Sequence, residues 1–300
     1  MTLPQTTIAT TPGKPWETYI SRLAGLAQIT RLHNCLLGGA FALVGVYLGS
    51  ETGSITGQRA LQAALVVFLC VAFGNVVNDY RDLDADALSK PHRPIPSGRV
   101  SQSLAGGLAL ALAMGALALA LGLGPGSGLF ALSTLLLSAG YSYFLKSTPL
   151  VGNAVIALLD ASVVIYGSMA AGNVTAAAWV ASLLFFLHVF AHEVLYTVRD
   201  QSGDVLAGID TTATRLGSKA SINVFRALAL AFMLCAVGVP WLTGIASDTY
   251  LFAIVLCSIL PTLLAMIFLI GNVTARRVLW SLWIMKATWF FSLVPVALLR

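Results

Sequence analysis

Residues 60–80 read ALQAALVVFLCVAFGNVVNDY, and the chain continues RDLDAD to residue 86. From Ala60 to Asn78 there is no charge. A helix rises 1.5 Å per residue, so a run of this kind has the ~30 Å needed to cross the hydrocarbon core of a bilayer. Four carboxylates then follow almost at once: Asp79, Asp82, Asp84 and Asp86. The fold and the chemistry of the chain both turn on why a membrane helix ends in so much negative charge.

The composition extends the first half of that reading to the whole molecule. The 300 residues are 58% hydrophobic and 10% charged, with a net charge of +5 and a mean hydropathy of +0.86. Soluble α/β enzymes and disulfide scaffolds do not have this profile. Cys35, Cys70, Cys235 and Cys257 all sit in apolar runs without metal-ligand spacing, so they read as small packing residues. The fold class expected is an all-α membrane protein, a bundle of nine transmembrane helices around a central cavity. The spans fall near 25–49, 58–80, 103–122, 125–145, 150–171, 176–199, 220–244, 249–271 and 278–298. Residues 1–22 are polar and rich in Thr and Pro, and lack the apolar core of a signal peptide. They read as a cytoplasmic N-terminal tail, with a short interfacial helix around 16–22, ahead of one domain over 23–300.

Orientation follows from the basic residues. Lys14, Arg22, Arg81, Lys90, Arg93, Arg99, Lys146, Arg199, Arg215, Lys219, Arg276 and Arg277 fall on one set of alternate loops, against Arg59 and Arg300 on the other. By the positive-inside rule the N-terminus is cytoplasmic and the C-terminus outside. Both acidic stretches then emerge on the cytoplasmic side of an integral, multi-pass membrane protein, in the cytoplasmic membrane if the source is bacterial or archaeal.

On a continuing helix Asp79, Asp82 and Asp86 stand at i, i+3 and i+7, with Asn78 four before Asp82; these four share an arc of about 100°, and Asp84 points away. A second stretch, EVLYTVRDQSGDVLAGID (193–210), places Asp200 and Asp204 at i, i+4 after the sixth span. Like charges this close repel unless cations lie between them. Hard oxygens at helical spacing suit Mg²⁺, which takes one or two carboxylates and fills its shell with water and phosphate oxygens. A solvated acidic helix end is the plainer alternative for either stretch alone. Arg93 and Lys146 are placed on an anionic phosphate group, whereas Arg99 and Lys219 need no role beyond orientation. Metal and bases at the mouth of an apolar bundle fit a prenyl diphosphate, whose head needs charge and whose tail needs lipid. Tyr141, Tyr143, Phe186, Phe190 and Tyr196 are candidates to line the cavity and steady a carbocation, or else ordinary packing residues. Nothing in the sequence points to nucleic acid.

These stretches together resemble the UbiA superfamily of intramembrane prenyltransferases. NDYRDLDAD is similar to its NDxxDxxxD motif and DQSGD to its DxxxD motif. SKPHRPIPSGRVS resembles its Arg-Pro-x-Pro-Ser-Gly loop, and YSYFLKSTPLVGN its Tyr-x-x-x-Lys…Gly-Asn stretch. The resemblance implies Mg²⁺-dependent transfer of a prenyl group from an allylic prenyl diphosphate to an acceptor molecule or lipid within the membrane. It implies Asn78, Asp79, Asp82, Asp86, Asp200 and Asp204 as metal ligands, with Asp79, Asp82, Asp200 and Asp204 catalytic, and Arg93 and Lys146 on the diphosphate.

The acceptor is less sharply indicated. TRLHNCLLGGA resembles the Arg-Pro-x-Asn-Cys start of archaeal-type geranylgeranylglyceryl-phosphate prenyltransferases, with Leu32 in place of Pro. HEVLYTVRDQSGD resembles their pattern around the second motif, with His192, Tyr196 and Thr197 replacing Arg, Lys and Asp. These replacements incline the expectation toward an aromatic acceptor, with the glyceryl-phosphate lipid as the alternative. Asn34, Asp160, His192, Glu193 and Tyr196 are the candidate acceptor-binding residues. Asp160 and Lys286 sit at similar depth, open to acceptor binding or to pairing with each other. A membrane terpene cyclase would use the same ionising site without an acceptor. A transporter would not need two acidic motifs.

Overall fold

The computed structural model of the chain describes residues 15–50 and 57–299. The described residues are helical, with no strand among them: α1 (Pro15–Thr30), α2 (Leu32–Gly49), α3 (Gly57–Arg81), α4 (Leu83–Ser89), α5 (Gln102–Leu123), α6 (Pro125–Gly140), α7 (Val151–Ala170), α8 (Ala176–Leu206), α9 (Thr212–Leu216), α10 (Ser218–Leu242), α11 (Asp248–Ile254), α12 (Leu260–Phe268) and α13 (Ala275–Ala297). A π-helical turn at Tyr141–Leu145 continues α6, and another at Val255–Ile259 joins α11 to α12. Among the described residues, nine helical stretches are long and apolar enough to cross a membrane, and each overlaps an expected span. Side-chain hydroxyls cap their starts: Ser101 on α5, Thr175 on α8, Ser247 on α11 and Thr274 on α13.

Two boundaries differ from the sequence reading. The first span does not begin at 25. Arg31 adopts a left-handed backbone (φ 51°, ψ 59°) and breaks the chain into α1 and the crossing helix α2. The expected interfacial helix lies within α1, which runs through residue 22; the first fourteen residues of the expected tail lie outside the described residues. The sixth span does not end at 199 either. α8 has 31 residues, about 46 Å of helix, well beyond the ~30 Å hydrocarbon core. The second acidic motif is thus the overhanging end of a helix, not a loop.

α2 packs on α3 and α7, α7 on α8, and α8 on α10 and α13, while α13 returns to touch α2. Of these, α2, α3, α7, α8 and α13, together with α6, surround a cavity of about 650 Å³. α5, α10, α11 and α12 stand outside that ring and contribute nothing to its lining. Their outward faces carry exposed Leu110, Met114, Leu234, Trp241, Phe252 and Leu263, the surface expected against lipid tails.

α2 and α7 meet backbone to backbone. A Cβ added at Gly45 would lie 2.2 Å from the Val164 carbonyl oxygen, and one at Gly167 only 2.0 Å from that of Ala42. Small residues permit such approach in membrane bundles, where dispersion contacts replace the hydrophobic effect. Gly45→Val or Gly167→Val is expected to force α2 and α7 apart, destabilising the protein by at least the ~1–3 kcal/mol of an overpacked core. Gly107→Ala, at an open position on α5, is expected to leave stability unchanged or slightly raised. Thermal unfolding in detergent checks both.

Candidate active site

The carboxylates are positioned by three stretches. α3 ends at Arg81, and a single turn residue, Asp82, separates it from α4. Hydrogen bonds from Asp82 N to Asn78 O (2.9 Å) and from Asp86 N to Asp82 O (2.8 Å) carry the helical spacing through the break. Asn78, Asp79, Asp82 and Asp86 therefore all line the cavity, and Asp84 is exposed outside it. Asp79 and Asp86 are buried. Opposite them α8 presents one stripe to the cavity, Phe185, Glu193, Tyr196, Thr197, Asp200, Gly203 and Asp204, and Arg199 reaches the cavity from beside it. The spacing from Glu193 to Asp204 is i, i+3, i+4, i+7, i+10, i+11, the pattern of one helix face.

Basic side chains are interleaved with these acids. Arg31 Nη2 lies 2.7 Å from Asp79 Oδ1, and its Nη1 donates to Asn75 Oδ1 at 3.1 Å. Arg93 bridges Asp86 and Asp79, with a 3.6 Å approach to the latter. Lys146 pairs with Asp82. Lys90 lies 3.7 Å from Asp200, and Arg199 grips both oxygens of Asp200 at 2.6 and 2.7 Å. Arg199 also lies over the Tyr196 ring, 4.2 Å from its centroid. The left-handed kink at Arg31 is what turns its guanidinium toward α3. Arg93 is held by a folded loop: Ile95 and Val100 are buried against Ile29, Val76 and Ala105, and Val100 N bonds to Pro94 O at 3.0 Å. Lys146 follows directly on the π-turn, whose Tyr141 faces the cavity.

The Lys146 loop is tied to the segment after the second motif. Thr212 Oγ1 accepts from Leu150 N at 2.8 Å and donates to Asn153 Oδ1 at 2.6 Å. Asn153 Nδ2 in turn donates to the Glu193 carbonyl at 3.2 Å.

Of the candidate acceptor residues, Asn34, Asp160, Glu193 and Tyr196 line the cavity. His192 does not, which corrects the expectation. It is fully buried behind the wall, its ring against Tyr196 and Trp289, because it stands one residue, about 100°, off the α8 stripe. Asp160 and Lys286 both face the cavity but do not form an ion pair. Tyr141 and Tyr196 line it as expected; Phe186 and Phe190 pack elsewhere, and Tyr143 is exposed. The remaining aromatic lining comes from residues that the sequence did not single out: Phe41, Phe130, Tyr166, Phe185 and Trp289. Phe41 stacks on Phe185 with centroids 4.3 Å apart, and Trp289 meets Phe185 edge-on. These three separate the cavity from a void of about 20 Å³ beyond it.

The donor set fits Mg²⁺ shared between protein and substrate. Among the described residues, no three His, Cys, Asp or Glu side chains stand close enough to cage a metal alone. Carboxylate and amide oxygens that line a cavity singly leave room for the water and phosphate oxygens that Mg²⁺ prefers to keep.

Comparison with known proteins agrees with this chemistry. The model of the UbiA prenyltransferase family matches residues 39–285; the chain belongs to that family and is a multi-pass membrane prenyltransferase. The digeranylgeranylglyceryl phosphate synthase of Pyrococcus horikoshii is 33% identical over 217 residues, which cover 71% of this chain and 78% of that one. The synthase of the same name from Methanoregula boonei is 37% identical over 228 residues, or 73% of this chain and 78% of its own. A solved structure concerned with digeranylgeranylglyceryl phosphate synthase in membranes superposes with a TM-score of 0.73 at 26% identity, covering 92% of this chain and 97% of that one. A UbiA homolog from Archaeoglobus fulgidus, bound to DMAPP and Mg²⁺, has the same fold, with a TM-score of 0.65 at 20% identity over 91% of this chain and 98% of its own.

Thr212→Val strands the Leu150 amide and the Asn153 carbonyl oxygen. It is expected to cost about 1–3 kcal/mol of stability and, by loosening Lys146, to raise the KM for prenyl diphosphate more than that for the acceptor. Thermal unfolding and steady-state kinetics measure the two effects.

Proposed function

We propose that the chain uses Mg²⁺ to transfer the prenyl group of an allylic prenyl diphosphate to a hydroxyl of a glyceryl phosphate lipid, at the cytoplasmic end of its cavity. The observation that carries this reading is the facing of two acidic motifs, each interleaved with Arg or Lys, across a cavity whose inner wall is aromatic. Asp79, Asp82, Asp86, Asp200 and Asp204, with Asn78, would hold the metal. Bound Mg²⁺ would neutralise charge that builds on the departing diphosphate. Arg93 and Lys146 do the same from the protein side, joined by Arg31 and Lys90. The allylic C–O bond breaks and its electron pair leaves with the diphosphate. The acceptor oxygen supplies the pair for the new bond to the allylic carbon, and its proton passes to a carboxylate on the wall, Glu193 or Asp160. Phe41, Phe185 and Trp289 exclude water from the cation and offer it their ring faces.

The glyceryl phosphate acceptor is supported by the relatives, which carry that function in their names. A second reading, an aromatic acceptor, is favoured by Tyr196 and Thr197, which stand where the archaeal-type pattern has Lys and Asp. Tyr196 lines the cavity under Arg199, where its ring can stack on an aromatic guest. The cytoplasmic placement rests on the basic residues that flank both motifs.

Membranes containing the chain are incubated with Mg²⁺ and labelled geranyl, farnesyl or geranylgeranyl diphosphate. Each is paired with glyceryl phosphate ether lipid or with phenolic acids such as 4-hydroxybenzoate. A labelled adduct is expected, abolished by EDTA and reduced about 100-fold or more by Asp79→Ala and Asp200→Ala. Label that appears as a hydrocarbon or alcohol without an acceptor would point instead to a cyclase. Diphosphate left intact under every pairing would defeat the proposal.

A further inference from the structure

Six basic side chains stand on the cavity wall: Arg31, Lys90, Arg93, Lys146, Arg199 and Lys286. Five of them have a carboxylate within ion-pair distance. Lys286, on α13, does not, among the described residues. Its Nζ lies 3.2 Å from Nε2 of His33, at the start of α2. A neutral imidazole nitrogen accepts one hydrogen bond, while an ammonium group offers three. Two Lys286 donors therefore remain, in a half-buried position facing the cavity. Asp160 and Glu193 line the same region and lie within electrostatic reach, but neither comes to ion-pair distance. An ammonium drawn out of water without a hydrogen-bonded counter-charge is costly, and an anionic guest offsets that cost.

The position suits the acceptor rather than the donor. Glu193 stands seven residues before Asp200 on one face of α8, about 10 Å along the helix axis. Lys286 lies within electrostatic reach of Glu193 and Asp160, and also of Arg31 and Arg199, which are themselves paired with Asp79 and Asp200. Among the described residues, no carboxylate of either motif comes within ion-pair distance of Lys286. In a small acceptor the reacting oxygen or ring carbon sits only a few bonds from a phosphate or carboxylate. A guest held by its anion at Lys286 would reach back toward the allylic carbon.

We propose that Lys286, braced by His33, seats an anionic group of the acceptor, so that the enzyme selects acceptors bearing a phosphate or a carboxylate. This rests on the reading of the chain as a transferase to an acceptor and narrows it. Lys286 is a positioning and selectivity residue, and takes no part in bond breaking.

The test compares wild type, Lys286→Met, Lys286→Arg and His33→Leu, as full chains in detergent or membranes. Four acceptors are supplied with Mg²⁺ and geranylgeranyl diphosphate: glyceryl phosphate ether lipid, the same lipid without its phosphate, 4-hydroxybenzoate and its methyl ester. Lys286→Met is expected to raise KM about 10- to 100-fold for the charged acceptor that is used, the range of a lost charge-assisted hydrogen bond. The KM for the diphosphate should stay within about twofold. The preference for the charged acceptor over its neutral counterpart should collapse, Lys286→Arg should restore part of it, and His33→Leu should weaken it less. Whichever anion shows the effect identifies phosphate or carboxylate as the group recognised. An unchanged preference, an equal loss for charged and neutral acceptors, or a rise confined to the diphosphate KM would each overturn the proposal. A readout independent of turnover is the rise in unfolding temperature that each charged acceptor produces. That rise should be present in wild type and lost in Lys286→Met; equal shifts in both would also overturn it. Absence of transfer by wild type would instead defeat the broader functional reading, while the binding arm still decides the role of Lys286.

Discussion

Charge in a low-dielectric bundle must be matched locally, and that constraint organises the half of this protein that carries the acidic motifs. Asp79 and Asp86 are buried, where an unpaired carboxylate would destabilise the fold by several kcal/mol. The ion pairs that prevent this also fasten the elements together. Arg31 links the start of α2 to α3, Arg93 links the loop after α4 back to α4 and α3, and Lys146 links the end of α6 to the turn at Asp82. Lys90 extends the set to Asp200 on α8. The groups that would engage a diphosphate and its metal are therefore also the groups that hold the helices in place around it. Binding and folding draw on the same charges.

Most of this was legible in the sequence, for identifiable reasons. Spans could be read because lipid demands about twenty apolar residues at a time, and the alternation of Lys and Arg confirmed their number. Asp84 could be told from Asp79, Asp82 and Asp86 because i→i−4 hydrogen bonds preserve helical phase across the break at Asp82. Arg31 was harder. A left-handed residue between two helices carries no signal when it is neither Gly nor Asn, and only contact with Asn75 and Asp79 reveals its purpose. The aromatic wall was missed because Phe41, Phe185 and Trp289 come from three helices far apart in sequence, each looking like one more apolar residue in a span. His192 was misplaced for the opposite reason: adjacency to Glu193 in sequence puts it a third of a turn away in space.

Lys286 marks a division of labour between the two ends of the cavity. Near the acidic motifs each described Arg or Lys that lines the cavity has a carboxylate partner, so a polyanion arriving with its own metal would meet a charge-paired network. Deeper in, one cation stands beside a histidine and two carboxylates that do not reach it. On the proposed reading the first arrangement would hold a head group common to all prenyl diphosphates, and the second would discriminate among acceptors.

The length of α8 has an evolutionary consequence. One helix carries Phe185 of the aromatic wall, Glu193 and Tyr196 on the cavity lining, and Asp200 and Asp204 of the second motif. Deleting or inserting a single residue anywhere between them would rotate everything beyond by about 100° and shift it by about 1.5 Å. Aromatic wall, acceptor contacts and motif would lose their shared face together. Diversification of acceptor use on this scaffold is thus confined to exchanging side chains in register. Changes of chain length must be absorbed elsewhere, in the connections that stand clear of the cavity.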